Sequence, residues 1–270
     1  MDLGRFGIWQ HTGNSSPELV AEADRLGYGT YWIGGSPRAP LDIVEAALDA
    51  SERIVVATGI VNMWADDAEP IADAYHRIEA KHPGRFLLGV GIGHPEAVKE
   101  YKSPYETMVD YLDALDAAGV PKDRMCLAAL GPKVLKLAAD RTLGAHPYLT
   151  DPPHTASARK IVGDALLAPE HKVVLTTDVD DARAVGRKAL KMYLGLVNYR
   201  NNWLRNGFTE ADLAEGGSDR FVDTFVLHGE PEKIADGLRA HHEAGADHVC
   251  VQVLGNDLVE GHRTLADVLL

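Results

Sequence analysis

Short β-branched and aromatic runs alternate with amphipathic helical stretches along nearly the whole chain, and this alternation limits the fold more than any other feature. It is the pattern of parallel β/α units. Eight strands are predicted, at 6–9, 30–33, 54–60, 86–91, 125–129, 144–149, 173–176 and 248–254. Ser16 and Pro17 open a helix that carries Leu19, Val20, Ala23 and Leu26 on one face, and Gly27 stops it. Pro104 opens another, with Met108, Leu112 and Leu115 in register and Gly119 beyond its end. Before the last strand, residues 231–245 place Ile234 and Leu238 inward, and Gly245 terminates the helix. Eight such units close more naturally into a (β/α)8 barrel than into an open sheet, and 270 residues suit that barrel's usual size of roughly 250. The stretch 178–247 is long for one crossover, but no Pro/Ser-rich linker bounds it. It is expected to add helices between the seventh and eighth strands of a single domain, 1–270.

Hydrophobic residues make up 46% of the chain, enough for a large core, yet no apolar run reaches the roughly 18 residues of a membrane span. The N-terminus has neither a basic n-region nor an apolar h-region, so a cytoplasmic location is expected. Forty acidic against 27 basic side chains give a formal charge of −13, which argues against nucleic acid and anionic membrane as partners. Cys126 and Cys250 each lie in an apolar run and read as buried hydrophobes rather than reactive thiols. The 12 histidines show no metal-ligand spacing, and His241 and His242, adjacent on a helix, point apart. No metal is expected.

A barrel of this kind builds its active site at the carboxyl ends of its strands. The third strand ends in Ala57-Thr58-Gly59-Ile60-Val61-Asn62-Met63-Trp64, and the second in the small loop Gly34-Gly35-Ser36. The fourth carries Gly89, Gly91 and Gly93 at alternate positions. That spacing strips one strand face so that a flat ring could lie on backbone, and it equally suits close packing between strands. It is a poor dinucleotide fingerprint, because Pro95 follows where that motif continues into a helix. After the fifth strand, Ala129-Leu130-Gly131 precede Pro132 at a helix start, which is either an anion site on backbone N–H groups or an ordinary strand-to-helix turn. His11 and His146 fall at the ends of the first and sixth strands.

Several of these segments, taken in order, resemble the luciferase-like monooxygenase superfamily: Tyr31-Trp32, Ala57-Thr58-Gly59-Ile60, Gly84-Arg85-Phe86-Leu87-Leu88-Gly89-Val90-Gly91, and Ala128-Ala129-Leu130-Gly131-Pro132. Three further segments, at 142–148, 198–202 and 245–254, resemble its actinobacterial branch of probable F420-dependent oxidoreductases. The resemblance spans most of the chain. It implies a TIM barrel that binds the deazaflavin coenzyme F420, with FMN as the alternative cofactor. Hydride would pass between F420 and a small organic substrate. An FMN-dependent monooxygenase and a non-catalytic flavin- or deazaflavin-binding protein are the rival readings, and a homodimer is expected. By alignment, the Gly59–Ile60 peptide is cis and bulges against the ring, while Ile92, Gly93 and His94 lie beside it. The same alignment implies that the backbone of Ala129, Leu130 and Gly131 holds the cofactor phosphate, while Lys133, in the first helical turn, would either assist or point to solvent. Sugar-phosphate dehydrogenases of the superfamily carry Asp-His after the second strand and Glu after Gly-x-Gly-x-Gly, where this chain has Gly35-Ser36 and His94. Their acid/base scheme does not transfer. His94, with an ordinary pKa of about 6.5, becomes the catalytic candidate, and His11 and His146 become candidates for contacting substrate.

Overall fold

In the computed structural model, which describes residues 1–93 and 103–270, the helix boundaries read from the sequence have atomic causes. The Ser16 hydroxyl accepts from the Leu19 N–H at 3.2 Å and starts the helix Pro17–Leu26. Gly27, at φ 97°, ends it with its N–H on the Ala23 and Asp24 carbonyls. The helices Pro104–Ala117 and Pro231–Glu243 likewise begin on proline and stop before left-handed Gly119 and Gly245.

Eleven strand segments are described: β1 (Phe6–His11), β2 (Thr30–Gly34), β3 (Val55–Gly59), β4 (Val61–Asn62), β5 (Phe86–Gly91), β6 (Met125–Leu127), β7 (Gly144–Ala145), β8 (Leu166–Leu167), β9 (Glu170–Val174), β10 (Val226–His228) and β11 (Val249–Val253). All their pairings are parallel, in the order β10-β9-β11-β1-β2-β3-β5-β6-β7-β8, with β4 beside β5. The two ends of this path are one piece of chain. β8 ladders onto β7 and β9 onto β11, and only Ala168-Pro169 lies between them, with the Pro169 carbonyl taking the Cys250 N–H at 2.9 Å. The ring therefore closes into the expected α/β TIM barrel, with β3/β4 and β8/β9 each acting as one interrupted stave.

Three details differ from the sequence expectation. The sixth strand stops at Ala145 rather than 149, since Pro147 has no N–H to continue the ladder. The seventh begins well before 173, at Leu166, because its charged middle, Glu170 to Lys172, faces the barrel interior and helix layer rather than water. And the insertion contributes β10, which occupies the side of β9 that the short β7 leaves free.

Alternating residues separate two cores. Trp9, Trp32, Leu87, Cys126 and Cys250 fill the barrel, whereas Phe6, Ile8, Tyr31, Leu88 and Val251 pack outward against the helices. Both cysteines are free and buried, and burial raises their thiol pKa values. The helices Val179–Leu190, Val197–Arg205, Glu210–Leu213 and Asp219–Phe225 form the expected excursion. Trp203, Phe208, Phe221 and Phe225 give it an aromatic core of its own on the barrel rim.

The joint between β3 and β4 is a bulge. Ala57 pairs with Leu87 but Val61 with Val90, so the β3 side carries one extra residue. The Thr58 hydroxyl replaces the interrupted ladder, accepting from the Gly89 N–H at 2.8 Å and donating to the Gly89 carbonyl at 2.7 Å. Thr58→Val should cost about 1–3 kcal/mol for the orphaned amide, read as a lower urea midpoint.

Buried histidines tie helices to staves. His171 Nδ1 lies 2.9 Å from His241 Nε2, whose Nδ1 lies 2.8 Å from Thr155 Oγ1, and His248 accepts the Trp32 indole N–H at 3.1 Å. Burial holds His146 and His248 at pKa about 4, and His171 and His262 at about 3. Folded values below the unfolded value of about 6.5 mean that the unfolded chain takes up protons first, so stability present above that pH is lost as pH falls through it. Unfolding at about pH 5 should take up more than one proton, measured as the slope of stability against pH. A flat slope would contradict these rings being buried and neutral.

Candidate active site

Strand ends converge on the mouth at the carboxyl side of the barrel, and β1 places Trp9 at its centre. The indole stands where side chains on its neighbours would be. A Cβ added to Gly34 would lie 1.9 Å from it, and one added to Gly59 would lie 2.6 Å from Trp9 Nε1 and 3.3 Å from His146 Nε2. Trp9 Nε1 and His146 Nε2, a buried donor and a buried nitrogen, have no hydrogen-bond partner among the described residues. The His146 ring stacks on Trp32 at 4.3 Å, and its Nδ1 lies 2.7 Å from the Ala168 carbonyl.

The glycines of β5 serve packing. Cβ atoms at Gly89, Gly91 and Gly93 would strike the Thr58 carbonyl, Ile60 and Asn62 respectively. They let the bulged stave lie close against β5, which leaves Ile60, Ile92 and Gly93 half-buried on the rim. The Gly59–Ile60 peptide is cis, as the resemblance implied.

Beside Trp9 the wall is charged, with Lys172 Nζ 6.0 Å from the indole ring centre. Lys172 Nζ donates to Glu170 Oε1 at 2.9 Å, with both side chains essentially inaccessible to solvent. The ammonium lies 3.9 Å from the Tyr148 ring centre and 5.7 Å from that of Tyr193. Burial pushes the Glu170 carboxyl up and the Lys172 ammonium down, and each partner opposes the other's shift. The second carboxylate oxygen accepts the Leu149 N–H at 3.3 Å, and the Leu149 carbonyl accepts the Trp203 indole N–H at 3.2 Å. Leu149 is thus held at φ 55°, a left-handed conformation unusual for leucine, and this fixes Tyr148 above the lysine. The Tyr148 hydroxyl donates to Gln252 Oε1 at 3.2 Å and lies 3.1 Å from the Tyr193 hydroxyl.

A third corner is cationic. Gly131 caps the helix Pro132–Arg141 without a side-chain hydrogen bond, and a Cβ placed on it would meet only Arg205 Nη1, at 3.7 Å. Lys133 Nζ lies over the Tyr105 ring at 3.8 Å. Neither Arg205 nor Lys133 forms an ion pair among the described residues. His154 Nε2 lies 3.0 Å from the Leu130 carbonyl and steadies the loop.

Of the residues singled out in the sequence, Gly59, Ile60, Ile92 and Gly93 come together beside Trp9, and Ala129, Leu130, Gly131 and Lys133 form the cationic corner. His11 sits exposed on the rim against Gly35, its Nδ1 accepting the Gly13 N–H at 3.1 Å. His146 is not on the rim as expected but one layer down, because stacking on Trp32 draws it into the barrel. His94 lies outside the described residues. Sequence reading missed Glu170, Lys172, Tyr193 and Arg205. Opposite charges two apart share one face of a strand, a signal that could have marked the first two. Arg205 reaches Gly131 only through tertiary packing.

Removing one member of a buried pair leaves the other charge unmatched, so Glu170→Gln should destabilise the fold by about 3–5 kcal/mol. Glu170→Gln combined with Lys172→Met should recover most of that loss in denaturant titration. A double variant no more stable than the single would show that the two charges do not compensate each other.

The profile of the luciferase-like monooxygenase family matches residues 2–248. No curated protein matches the chain. Among solved structures, an F420-dependent secondary alcohol dehydrogenase in complex with an F420-acetone adduct is similar over 98% of this chain and 97% of that one, at 16% identity and a TM-score of 0.74. Coenzyme F420-dependent tetrahydromethanopterin reductase from Methanopyrus kandleri is similar over 98% of both chains, at 14% identity and a TM-score of 0.71. The oxygenating constituent of 3,6-diketocamphane monooxygenase from Pseudomonas putida, in complex with FMN, covers 98% of this chain and 96% of its own at 14% identity, with a TM-score of 0.70. At these identities the likeness is one of fold. The profile covers most of the sequence, and the protein belongs to the luciferase-like monooxygenase family of oxidoreductases.

Proposed function

We propose that the chain binds coenzyme F420 at the carboxyl mouth of the barrel and transfers a hydride between it and a small organic substrate. The observation that carries the reading is the cationic corner. A chain of net charge −13 sets the open N-terminus of a ten-residue helix beside Arg205 and Lys133, two cations without carboxylate partners among the described residues. That arrangement suits the phosphate of a cofactor tail. A Cβ at Gly131 would fill part of the approach, which gives glycine there a reason beyond the turn. The half-buried rim of Gly59, Ile60, Ile92 and Gly93 would take the ring, beside the Trp9 indole N–H, which has no partner among the described residues.

F420, when bound, supplies a two-electron hydride carrier that does not activate oxygen as flavin does. The chain's own part is to hold the tail by the backbone of Ala129 to Gly131, to orient the ring, and to keep water from it with Trp9 and Tyr148. The sequence likeness to the F420 branch favours deazaflavin over FMN. His94 is proposed as a proton-handling group beside the ring.

Fluorescence titration with F420, set against an absorbance titration with FMN, tests the reading. Gly131→Val should weaken F420 binding about tenfold or more, a loss of ~1.4 kcal/mol. Arg205→Ala should weaken it less, and mainly at low salt, since the guanidinium is exposed. Equal affinity of wild type and Gly131→Val would place the tail elsewhere. Preference for FMN, with oxygen consumed by its reduced form, would favour a monooxygenase. Tight F420 binding with no turnover over a broad substrate panel would favour a binding protein.

A further inference from the structure

Two phenols meet at the mouth with neither fully buried, joined by a hydrogen bond that either hydroxyl can donate. Tyr148 donates to Gln252 Oε1, so its only proton is used, and the 3.1 Å contact with Tyr193 must carry the Tyr193 proton. Tyr193 is the free end of this chain, with oxygen lone pairs that accept nothing among the described residues. The direction is reversible. An amide flip of Gln252 presents its N–H to Tyr148, Tyr148 then donates to Tyr193, and the Tyr193 proton is released toward whatever occupies the mouth.

The surroundings define that occupant. Trp9, Tyr148 and Tyr193 make an aromatic wall, with ring centres 5.0 Å apart for Trp9 and Tyr148 and 5.5 Å for Tyr148 and Tyr193. Lys172 and Glu170 cancel each other's charge behind it, so the wall offers no net charge to pair with an ionic ligand. Tyr148 cannot swing away, because Leu149 is tied at both its N–H and its carbonyl. Phenylalanine would pack against the lysine as well as tyrosine does, and packing alone gives no reason for two hydroxyls in series.

We propose that Tyr193 donates its proton to the oxygen of a neutral carbonyl substrate seated against this wall, with Tyr148 as the relay behind it. The inference rests on the hydride-transfer reading above. In the reducing direction the carbonyl carbon takes a hydride from reduced F420, which is oxidised by two electrons. The carbonyl π pair moves to oxygen, which takes the Tyr193 proton, so one C–H and one O–H bond form and an alcohol results. Tyr193 recovers a proton from Tyr148, and solvent at the half-exposed phenols replaces it. The oxidising direction runs the same steps backward.

Acetophenone labelled with 13C at the carbonyl, bound to the protein loaded with oxidised F420, tests this without turnover. Infrared difference spectra should show the bound carbonyl stretch displaced to lower wavenumber. Tyr193→Phe should lose that displacement while still binding F420, and Tyr111→Phe, a helix tyrosine away from the mouth, should keep it. A displacement that survives in Tyr193→Phe, or wild type that takes up F420 but not acetophenone, overturns the proposal. Failure of wild type to take up F420 at all overturns the hydride-transfer reading and this proposal with it, an outcome distinct from the other two.

Discussion

The barrel depends on one stave, residues 166–174, which closes the ring and carries two opposite charges in its wall. Burying a carboxylate and an ammonium together is costly unless each satisfies the other and the remaining lone pairs find donors. Here the carboxylate takes the ammonium on one oxygen and the Leu149 amide on the other, while the ammonium lies against the Tyr148 face. The pair thereby holds the loop after β7 in its left-handed turn and sets the ring that lines the mouth. The insertion is bound to the same stave from outside through β10, and to the loop after β7 through Trp203 on the Leu149 carbonyl.

This arrangement divides the mouth into parts with different chemistry. The bulged joint of β3 and β4 presents a flat, half-buried edge, made possible by glycines that let neighbouring backbones approach. Beside it, starting from Trp9 against Gly59, stand aromatic rings backed by a charge-neutral pair. To one side a helix terminus with two cations that pair with no carboxylate among the described residues is electrostatically unlike the rest of an acidic molecule. A flat, anionic-tailed cofactor and a neutral substrate would make use of all three. The family match and the shared fold are consistent with such a division, while the choice of cofactor rests on details of the corner and the rim that the fold does not dictate.

Local signals along the chain determined the parallel β/α order, the caps at Ser16 and Gly27, and the rim positions of Gly59 and Gly131, since each depends on periodicity or on backbone conformations within a few residues. The cis Gly59–Ile60 bond was legible only by resemblance, because nothing in its neighbours' composition requires it. What tertiary structure alone decided was the meaning of the charged and aromatic residues. Glu170 and Lys172 lie just outside the seventh strand expected from the sequence, 173–176, and they are buried in the strand where each neutralises the other inside the wall. His146 left the rim for the interior because Trp32 offered a face to stack on, and Arg205 reached Gly131 because the insertion folds back over the barrel. Those outcomes depend on partners far apart in the chain, and the energy of a buried or paired charge is set by such partners rather than by sequence neighbours.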